Sequence, residues 1–96
     1  MRPIMQKRKE VKAPWWLKVI RSEVCLATGC HITSCDPHHI LRQRWRDDFV
    51  VPLCRQHHSE LTDMGEWAWC KKYNCNLYEY LFQRFIPEFD RLEALR

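Results

Sequence analysis

A chain of 96 residues has room for one small domain, and six cysteines could stabilise such a domain through metal binding or disulfides. The first twelve residues carry five basic side chains and no apolar run, which argues against a secretory signal peptide, and no segment is apolar for long enough to cross a membrane. We therefore expect a cytoplasmic protein whose clustered Cys and His residues bind metal. A disulfide-stabilised secreted domain is the weaker alternative.

The net charge of +4 is unevenly distributed along the chain. Residues 1–57 contain 11 Lys and Arg against 5 Asp and Glu, whereas residues 58–96 contain 5 against 7. A basic region suits a polyanion such as nucleic acid, because neutralising its phosphates releases counterions. A solvated surface with a basic tail explains the same charges equally well, so charge alone does not decide the function.

The N-terminal half predicts a flexible arm followed by short elements. Residues 1–13 form a basic flexible arm, and residues 14–96 form a single domain. Pro14 favours a short helix that runs to about Ile20. Residues 24–39 predict a tight turn at Gly29 followed by a hairpin, and residues 49–51 predict a second short strand that ends at Pro52.

The C-terminal half is predicted to be helical. One helix covers Arg55–Met64 and ends at Gly65, and a second covers Glu66–Tyr73. Asn76 is expected to cap a third helix that Pro87 stops, and residues 88–96 form a last turn or two. The predicted fold class is α+β, with a small β element and added helices.

Four residues have the types and spacing of a structural zinc site. Cys25 and Cys30 flank the predicted turn, and Cys54 and His57 are three residues apart at a strand end and the first turn of a helix. Three thiolates and one imidazole make a closed tetrahedral set for Zn²⁺. Cys35 is a possible substitute ligand, and buried structural thiols are the alternative to a zinc site.

The other cysteines and most tryptophans are interpreted as packing residues, because no histidine lies near the cysteines in sequence and the aromatics follow helical segments. These residues are Cys70, Cys75, Trp15, Trp16, Trp67 and Trp69.

The remaining histidines of two adjacent pairs suggest a second site. His58 follows His57 on the predicted helix and points about 100° away from it, so it is free to face a different site. His38 and His39 point to opposite faces if they lie on a strand. One histidine could then bind a metal while the other meets a water molecule, which is the division of roles that phosphodiester hydrolysis requires. Satisfied strand-end histidines are the alternative.

Together these motifs resemble the HNH (His-Me finger, ββα-metal) endonucleases, and most closely small phage and prophage members of the Ref-like (recombination enhancement) kind. The resemblance extends from about Trp15 to Phe85. It rests on the two cysteines of the turn, the segment Asp36-Pro37-His38-His39-Ile40, the segment from Asp48 to Leu61, and the trailing Gly65-Glu66-Trp67 and Asn76-Leu77.

The resemblance implies a metal-dependent DNA endonuclease on a zinc-stapled ββα-metal (treble-clef-like) finger with additional N- and C-terminal helices. It implies that His38 and His58 bind a catalytic Mg²⁺ or Mn²⁺ and that His39 is the general base. Asp48, with Asp47 as the other candidate, would orient His39. A recombinase or another phage protein is a possible partner.

Four arginines flank the histidine site and are predicted phosphate contacts: Arg42, Arg44, Arg46 and Arg55. The main alternative function is a non-catalytic zinc-dependent module that binds DNA or a protein partner. It is suggested by Thr62, which stands where these enzymes often carry a further His or Asn, and by the absence of the usual orienting Asn.

Overall fold

The computed structural model describes residues 10–96 and shows a small α+β domain. Its helices and strands, in chain order, are α1 (Pro14–Arg21), β1 (Cys35–His39), β2 (Val50–Cys54), α2 (Arg55–Met64), α3 (Glu66–Tyr73), α4 (Leu77–Tyr80) and α5 (Ile86–Ala94). A short 3-10 turn follows β1 at Ile40–Arg42, and a π-helical turn joins α4 to α5 at Leu81–Phe85. Within these residues no helix is both long enough and apolar enough to span a membrane.

The two strands form an antiparallel sheet that is followed directly by α2. The register places Cys35 opposite Cys54 and His39 opposite Val50. The prediction that the strand ends at Pro52 is wrong, because β2 continues to Cys54 with Pro52 opposite Pro37. A two-stranded sheet has only edge strands, where a proline is tolerated if its missing N–H would point away from the partner strand.

The predicted hairpin within residues 24–39 does not form, because β1 pairs with β2 instead. The turn at Gly29 is present, with Gly29 at a φ of 85° that favours glycine.

The core lies between β2 and the helices on either side of it in sequence. Every residue of β2 is buried. From α1, Trp16 and Ile20 are buried four residues apart on one face, and Pro14 occupies the first turn of the helix as predicted. The other large buried side chains are Ile40, from the turn after β1, and six from the C-terminal helices: Leu61, Trp69, Leu77, Leu81, Phe85 and Phe89.

The predictions for α2 and α3 are confirmed, including their bounds. Gly65 separates the two helices with a φ of 92°, a value that other residues rarely adopt. Asn76 caps α4 as expected, because its side-chain oxygen accepts hydrogen bonds from the backbone N–H groups of Tyr78 and Glu79 at 3.0 and 3.1 Å.

The prediction that Pro87 stops the third helix is wrong. Pro87 lies in the first turn of α5, which continues directly from the π-helical turn. A proline inside a regular helix clashes with the carbonyl four residues earlier, and a locally widened turn is one recognised way to accommodate such a disruption. The chain therefore stays helical from Leu77 to Ala94.

The ordered domain begins before Pro14. The backbone N–H of Val11 donates to the carbonyl of Trp45 at 2.8 Å, and the N–H of Asp47 donates to the carbonyl of Val11 at 2.9 Å. The segment that contains Val11 and Ala13 is thus fixed to the loop between the strands, whereas the prediction assigned it to the arm. The rest of the predicted arm, residues 1–9, lies outside the described residues.

Candidate metal centre and histidine cleft

Cys25, Cys30, Cys54 and His57 form one cluster whose ligand atoms all lie within 4.8 Å of one another. The Nδ1 atom of His57 is 3.6 Å from the Sγ atom of Cys25 and 3.2 Å from that of Cys54. In a tetrahedral zinc site with ordinary bond lengths, a sulfur and a nitrogen ligand are about 3.6 Å apart. The predicted zinc ligands therefore come together at distances that fit a metal ion.

Local structure explains how four residues from distant parts of the sequence meet. Cys25 and Cys30 are held on the turn at Gly29, where the N–H of Cys30 donates to the carbonyl of Ala27 at 2.9 Å. Cys54 is both the last residue of β2 and the N-cap of α2, and His57 lies in the first turn of that helix.

Burial is consistent with a metal at this cluster. Burial raises the pKa of the Cys25 thiol to about 12, so the group would stay protonated at neutral pH without a cation beside it. A bound Zn²⁺ would reverse this effect, because it holds its cysteine ligands as thiolates.

The other cysteines lie outside the cluster. Cys35 is buried, and its thiol donates instead to the carbonyls of Glu23 and Ile32 at 3.2 and 3.6 Å, so it is not the substitute ligand. Cys70 and Cys75 are half-buried, and all six cysteines are free. Both half-buried residues pack against the hydrophobic core, in agreement with the packing interpretation.

A second group of predicted residues lines a cleft of ≈ 680 Å³ beside α2. His38, His39 and His58 all face this cleft, and the rings of His38 and His58 meet edge to face with their centres 5.2 Å apart. The structure thus brings together the three histidines that the sequence predicted to share a site.

Each of these histidines is hydrogen-bonded to a carboxylate. His38 Nε2 is 2.7 Å from Glu66 Oε2, His39 Nε2 is 3.1 Å from Asp47 Oδ1, and His58 Nδ1 is 3.2 Å from Asp36 Oδ2. A carboxylate partner fixes the orientation and tautomer of an imidazole, whether the imidazole binds a metal or accepts a proton.

Glu66 makes the largest number of these contacts. Besides His38, it accepts hydrogen bonds from the backbone N–H of Leu41 at 3.0 Å and from the hydroxyl of Tyr78 at 2.9 Å. Burial alone would raise the pKa of Glu66, but the hydrogen bonds from His38, Leu41 and Tyr78 outweigh it and lower that pKa below its usual value. Glu66 therefore stays a carboxylate at neutral pH.

These contacts make Glu66 the hydrogen-bond partner that orients His38. Within residues 10–96, the only group of three or more Cys, His, Asp and Glu side chains close enough together to hold a metal ion is the Cys and His cluster, so the cleft histidines are not gathered as a metal site in this structure.

The residue that orients His39 is Asp47, and the prediction of Asp48 is wrong. Asp47 is buried, and its second oxygen accepts a hydrogen bond from the backbone N–H of Ala13 at 2.8 Å. The carboxylate of Asp48 is instead paired with the guanidinium of Arg46 through two bonds of 2.9 and 2.8 Å. Because the two aspartates are adjacent, their side chains point in different directions, and only one can reach His39.

The predicted arginines differ in their surroundings. Arg42 and Arg44 are exposed and line the cleft. Arg55 is almost fully exposed, with its Nε 3.1 Å from Asp36. Arg46 is engaged within the domain, because it is paired with Asp48 and its guanidinium lies 4.2 Å from the ring centre of Phe49. Arg42 and Arg44 are therefore placed to meet a phosphate in the cleft, whereas Arg55 is paired with Asp36 and Arg46 with Asp48.

The backbone is strained where it borders the cleft. Leu41 and Arg42 are consecutive and have φ values of 55° and 59°, in the left-handed region that residues other than glycine rarely adopt. This conformation aims the N–H of Leu41 at Glu66 and leaves the Leu41 side chain 59 % exposed at the cleft.

Trp67 does not pack in the core, and that part of the packing interpretation is wrong. It is 81 % exposed, whereas Trp16 and Trp69 are buried as predicted. Residues two apart lie on different faces of a helix, so the spacing of Trp67 and Trp69 indicates that only one of them faces the core, but it does not indicate which one.

The sequence pattern does not indicate the roles of Glu66, Asp36 and Tyr78 in the cleft. Asp36 was detectable in principle, since residues two apart on a strand share a face and Asp36 precedes His38 by two positions. Glu66 and Tyr78 contact each other and the cleft only through the packing of α3 and α4, which the sequence does not specify.

Comparison with known proteins assigns the chain to a family whose function is unknown. No curated protein and no solved structure matches this chain. One family model, described as a protein of unknown function (DUF968), matches residues 2–88. The match covers most of the 96 residues, so the chain belongs to the DUF968 family.

Proposed function

We propose that this chain is a metal-dependent DNA endonuclease of the HNH type, which hydrolyses phosphodiester bonds on a zinc-stapled ββα-metal (treble-clef-like) finger. The order β1–β2–α2 supports this proposal, together with the Cys and His cluster at the end of β2 and the histidine cleft beside α2. The observation that carries it is the convergence of three histidines, each with its own carboxylate, on one cleft lined by Arg42 and Arg44.

His39 is proposed to be the general base. Its Nε2 is bonded to Asp47, so its Nδ1 is the ring nitrogen left to accept a proton from the attacking water. Because Asp47 is buried and also held by Ala13, the imidazole of His39 is fixed in one orientation before the substrate arrives.

His38 and His58 are proposed to hold the catalytic divalent ion, Mg²⁺ or Mn²⁺, as the resemblance to HNH endonucleases implies. When bound, such an ion polarises the scissile phosphate and stabilises the leaving oxygen. The carboxylates of Glu66 and Asp36 orient the two histidines, and Arg42 and Arg44 are placed to contact the flanking phosphates.

Zn²⁺ is proposed to occupy the Cys and His cluster in a structural role. Such a site needs reduced thiols, and we therefore place the protein in the cytoplasm. The resemblance to Ref-like nucleases suggests a phage or prophage origin and work in DNA recombination or processing, with a recombinase as a possible partner.

The test is a nicking assay on supercoiled plasmid DNA with added Mg²⁺ or Mn²⁺. We expect His39→Ala to abolish cleavage while the protein stays folded and keeps its zinc, because His39 lies outside the zinc cluster and the buried Asp47 keeps its hydrogen bond from Ala13. His31→Ala is the matched control, since His31 is exposed and lies outside the cleft. Equal cleavage by the wild type and His39→Ala would refute the proposal.

A non-catalytic zinc-dependent module that binds DNA or a protein is the second candidate. The observation in its favour is Thr62, which lines the cleft but whose hydroxyl donates to the carbonyl of His58 at 3.0 Å and so supplies no further ligand. If the wild-type protein binds DNA but nicks it with neither ion, this second function replaces the first.

A further inference from the structure

Trp67 presents an indole to solvent at the edge of the histidine cleft. At 81 % exposure it is the most exposed of the large apolar side chains in the described residues. A tryptophan gains more free energy from burial than almost any other side chain, and its flat indole can stack on another ring. Trp67 lies in the first turn of α3, next to Glu66.

The indole borders two depressions. One is the histidine cleft, and the other is a depression of ≈ 470 Å³ that Trp67 shares with Lys71, Asn74 and Asn76. Glu66 and Tyr78 also line both depressions, so the two are adjacent and a ligand that occupies both would contact Trp67.

Charge and shape in the two depressions fit a polyanion with flat rings. Arg42 and Arg44 line the histidine cleft, and Lys71 lines the other depression. The acidic groups that border the two depressions are Glu66, which is already bonded to His38, and Glu79. Cations spaced around an exposed aromatic ring are the pattern of proteins that bind single-stranded nucleic acid.

We propose that Trp67 stacks on an unpaired base next to the scissile phosphate, so that the cleft prefers nucleic acid with a single-stranded segment over continuous duplex. The proposal rests on the nuclease function above and names its substrate class. Within a duplex, both faces of a base are covered by its neighbours, and the indole can gain contact only if the base is unstacked. Leu41, exposed on the same cleft, adds apolar surface for that base.

The test is a binding measurement, because binding does not depend on turnover. Fluorescence anisotropy with labelled single-stranded and duplex DNA of the same sequence is measured without Mg²⁺ or Mn²⁺. We expect Trp67→Ala to bind the single strand about 5- to 150-fold more weakly, which is the range for loss of one stacked base, and to bind duplex nearly as the wild type does. Trp67→Phe, which keeps an aromatic face, should restore most of the affinity.

Abasic sites separate stacking from a structural role of Trp67. In a set of single strands that each carry one abasic position, one position should weaken the wild type as much as Trp67→Ala does and leave Trp67→Ala unchanged. Phe82→Ala is the control for the loss of an exposed aromatic side chain, because Phe82 is 55 % exposed and lines neither depression.

The outcomes distinguish the two proposals. If Trp67→Ala weakens single-stranded and duplex binding equally, or if every abasic strand affects both proteins alike, stacking by Trp67 is refuted even when cleavage is present. If the wild type binds single strands through Trp67 but never cuts them, the nuclease proposal fails and the stacking proposal stands. If the wild type binds no nucleic acid, both proposals fail.

Discussion

The replacement of Cys54 by serine tests the proposed zinc site most directly. Cys54 is 2 % exposed, lies at the junction of β2 and α2, and its Sγ is 3.2 Å from Nδ1 of His57. A serine hydroxyl stays protonated at neutral pH and is a poor zinc ligand, so Cys54→Ser leaves one thiolate fewer in the set.

The expected loss is large in comparison with the stability of the whole domain. Structural zinc contributes about 10–16 kcal/mol to folding in small finger peptides at neutral pH. A domain of this length is ordinarily stable by about 5–14 kcal/mol, at roughly 0.05–0.15 kcal/mol per residue. If the cluster holds zinc, most of the folding free energy therefore depends on the metal, and Cys54→Ser should lose both zinc and its cooperative thermal transition.

Cys35→Ser is the matched control. Cys35 lies directly opposite Cys54 in the sheet and is similarly buried, but its thiol bonds to backbone carbonyls, which a serine hydroxyl can also reach. It should keep its zinc and melt within a few degrees of the wild type. Zinc content by elemental analysis and melting by circular dichroism measure both effects. A wild type that stays folded without metal, or equal zinc loss in the two variants, would refute a structural zinc site.

Two further predictions concern carboxylates. Asp47→Asn should slow cleavage by about 10²- to 10⁴-fold, because it removes the charge that fixes the tautomer of His39. Asp48→Asn is the control and should slow cleavage far less, because the Asp48 carboxylate is bonded to Arg46. Equal rates of plasmid nicking by the two variants would contradict the assignment of Asp47. Glu60→Gln should lower the melting temperature by a few degrees, because Glu60 joins α2 to Lys72 and Tyr73 of α3. Lys72 and Tyr73 lower the pKa of Glu60 below its ordinary 4.5. The stabilisation by Glu60 is therefore fully present above pH 4.5 and is lost as the pH falls through the lower pKa of the folded protein. If the melting temperatures of the wild type and Glu60→Gln still differ in strong acid, the prediction is contradicted.

The sequence predicted the elements that local signals define. Glycine commonly ends a helix, so Gly65 predicts where α2 ends and α3 begins. The residues of the Cys and His cluster are predicted by their types and their spacing. The predictions at Pro52 and Pro87 are wrong for the same reason. Proline rules describe central strands and regular helices, whereas this sheet has only edges and this helix contains a widened turn.

The cleft was predictable only in part, because the carboxylates that bond to its histidines are brought there by tertiary packing. The histidines are visible in sequence as adjacent pairs, but the choice of Asp47 over Asp48 depends on the direction of a loop that Val11 fixes from a distance. Glu66 reaches His38 across 28 residues, and no local pattern encodes a contact of that kind. Trp67 differs from Trp69 only in which side of α3 faces the core.

The position of Cys54 at the start of α2 has an electrostatic consequence. This helix has no side-chain hydrogen bond at its N-cap and no acidic residue in its first turn, the two features that ordinarily compensate the positive end of a helix dipole. If the cluster holds Zn²⁺, its three thiolates and one imidazole would give the site a net negative charge, and that charge would lie at this end of the helix. The metal cluster would thus serve as the cap of α2, and His58, in the same first turn, would owe its position to it.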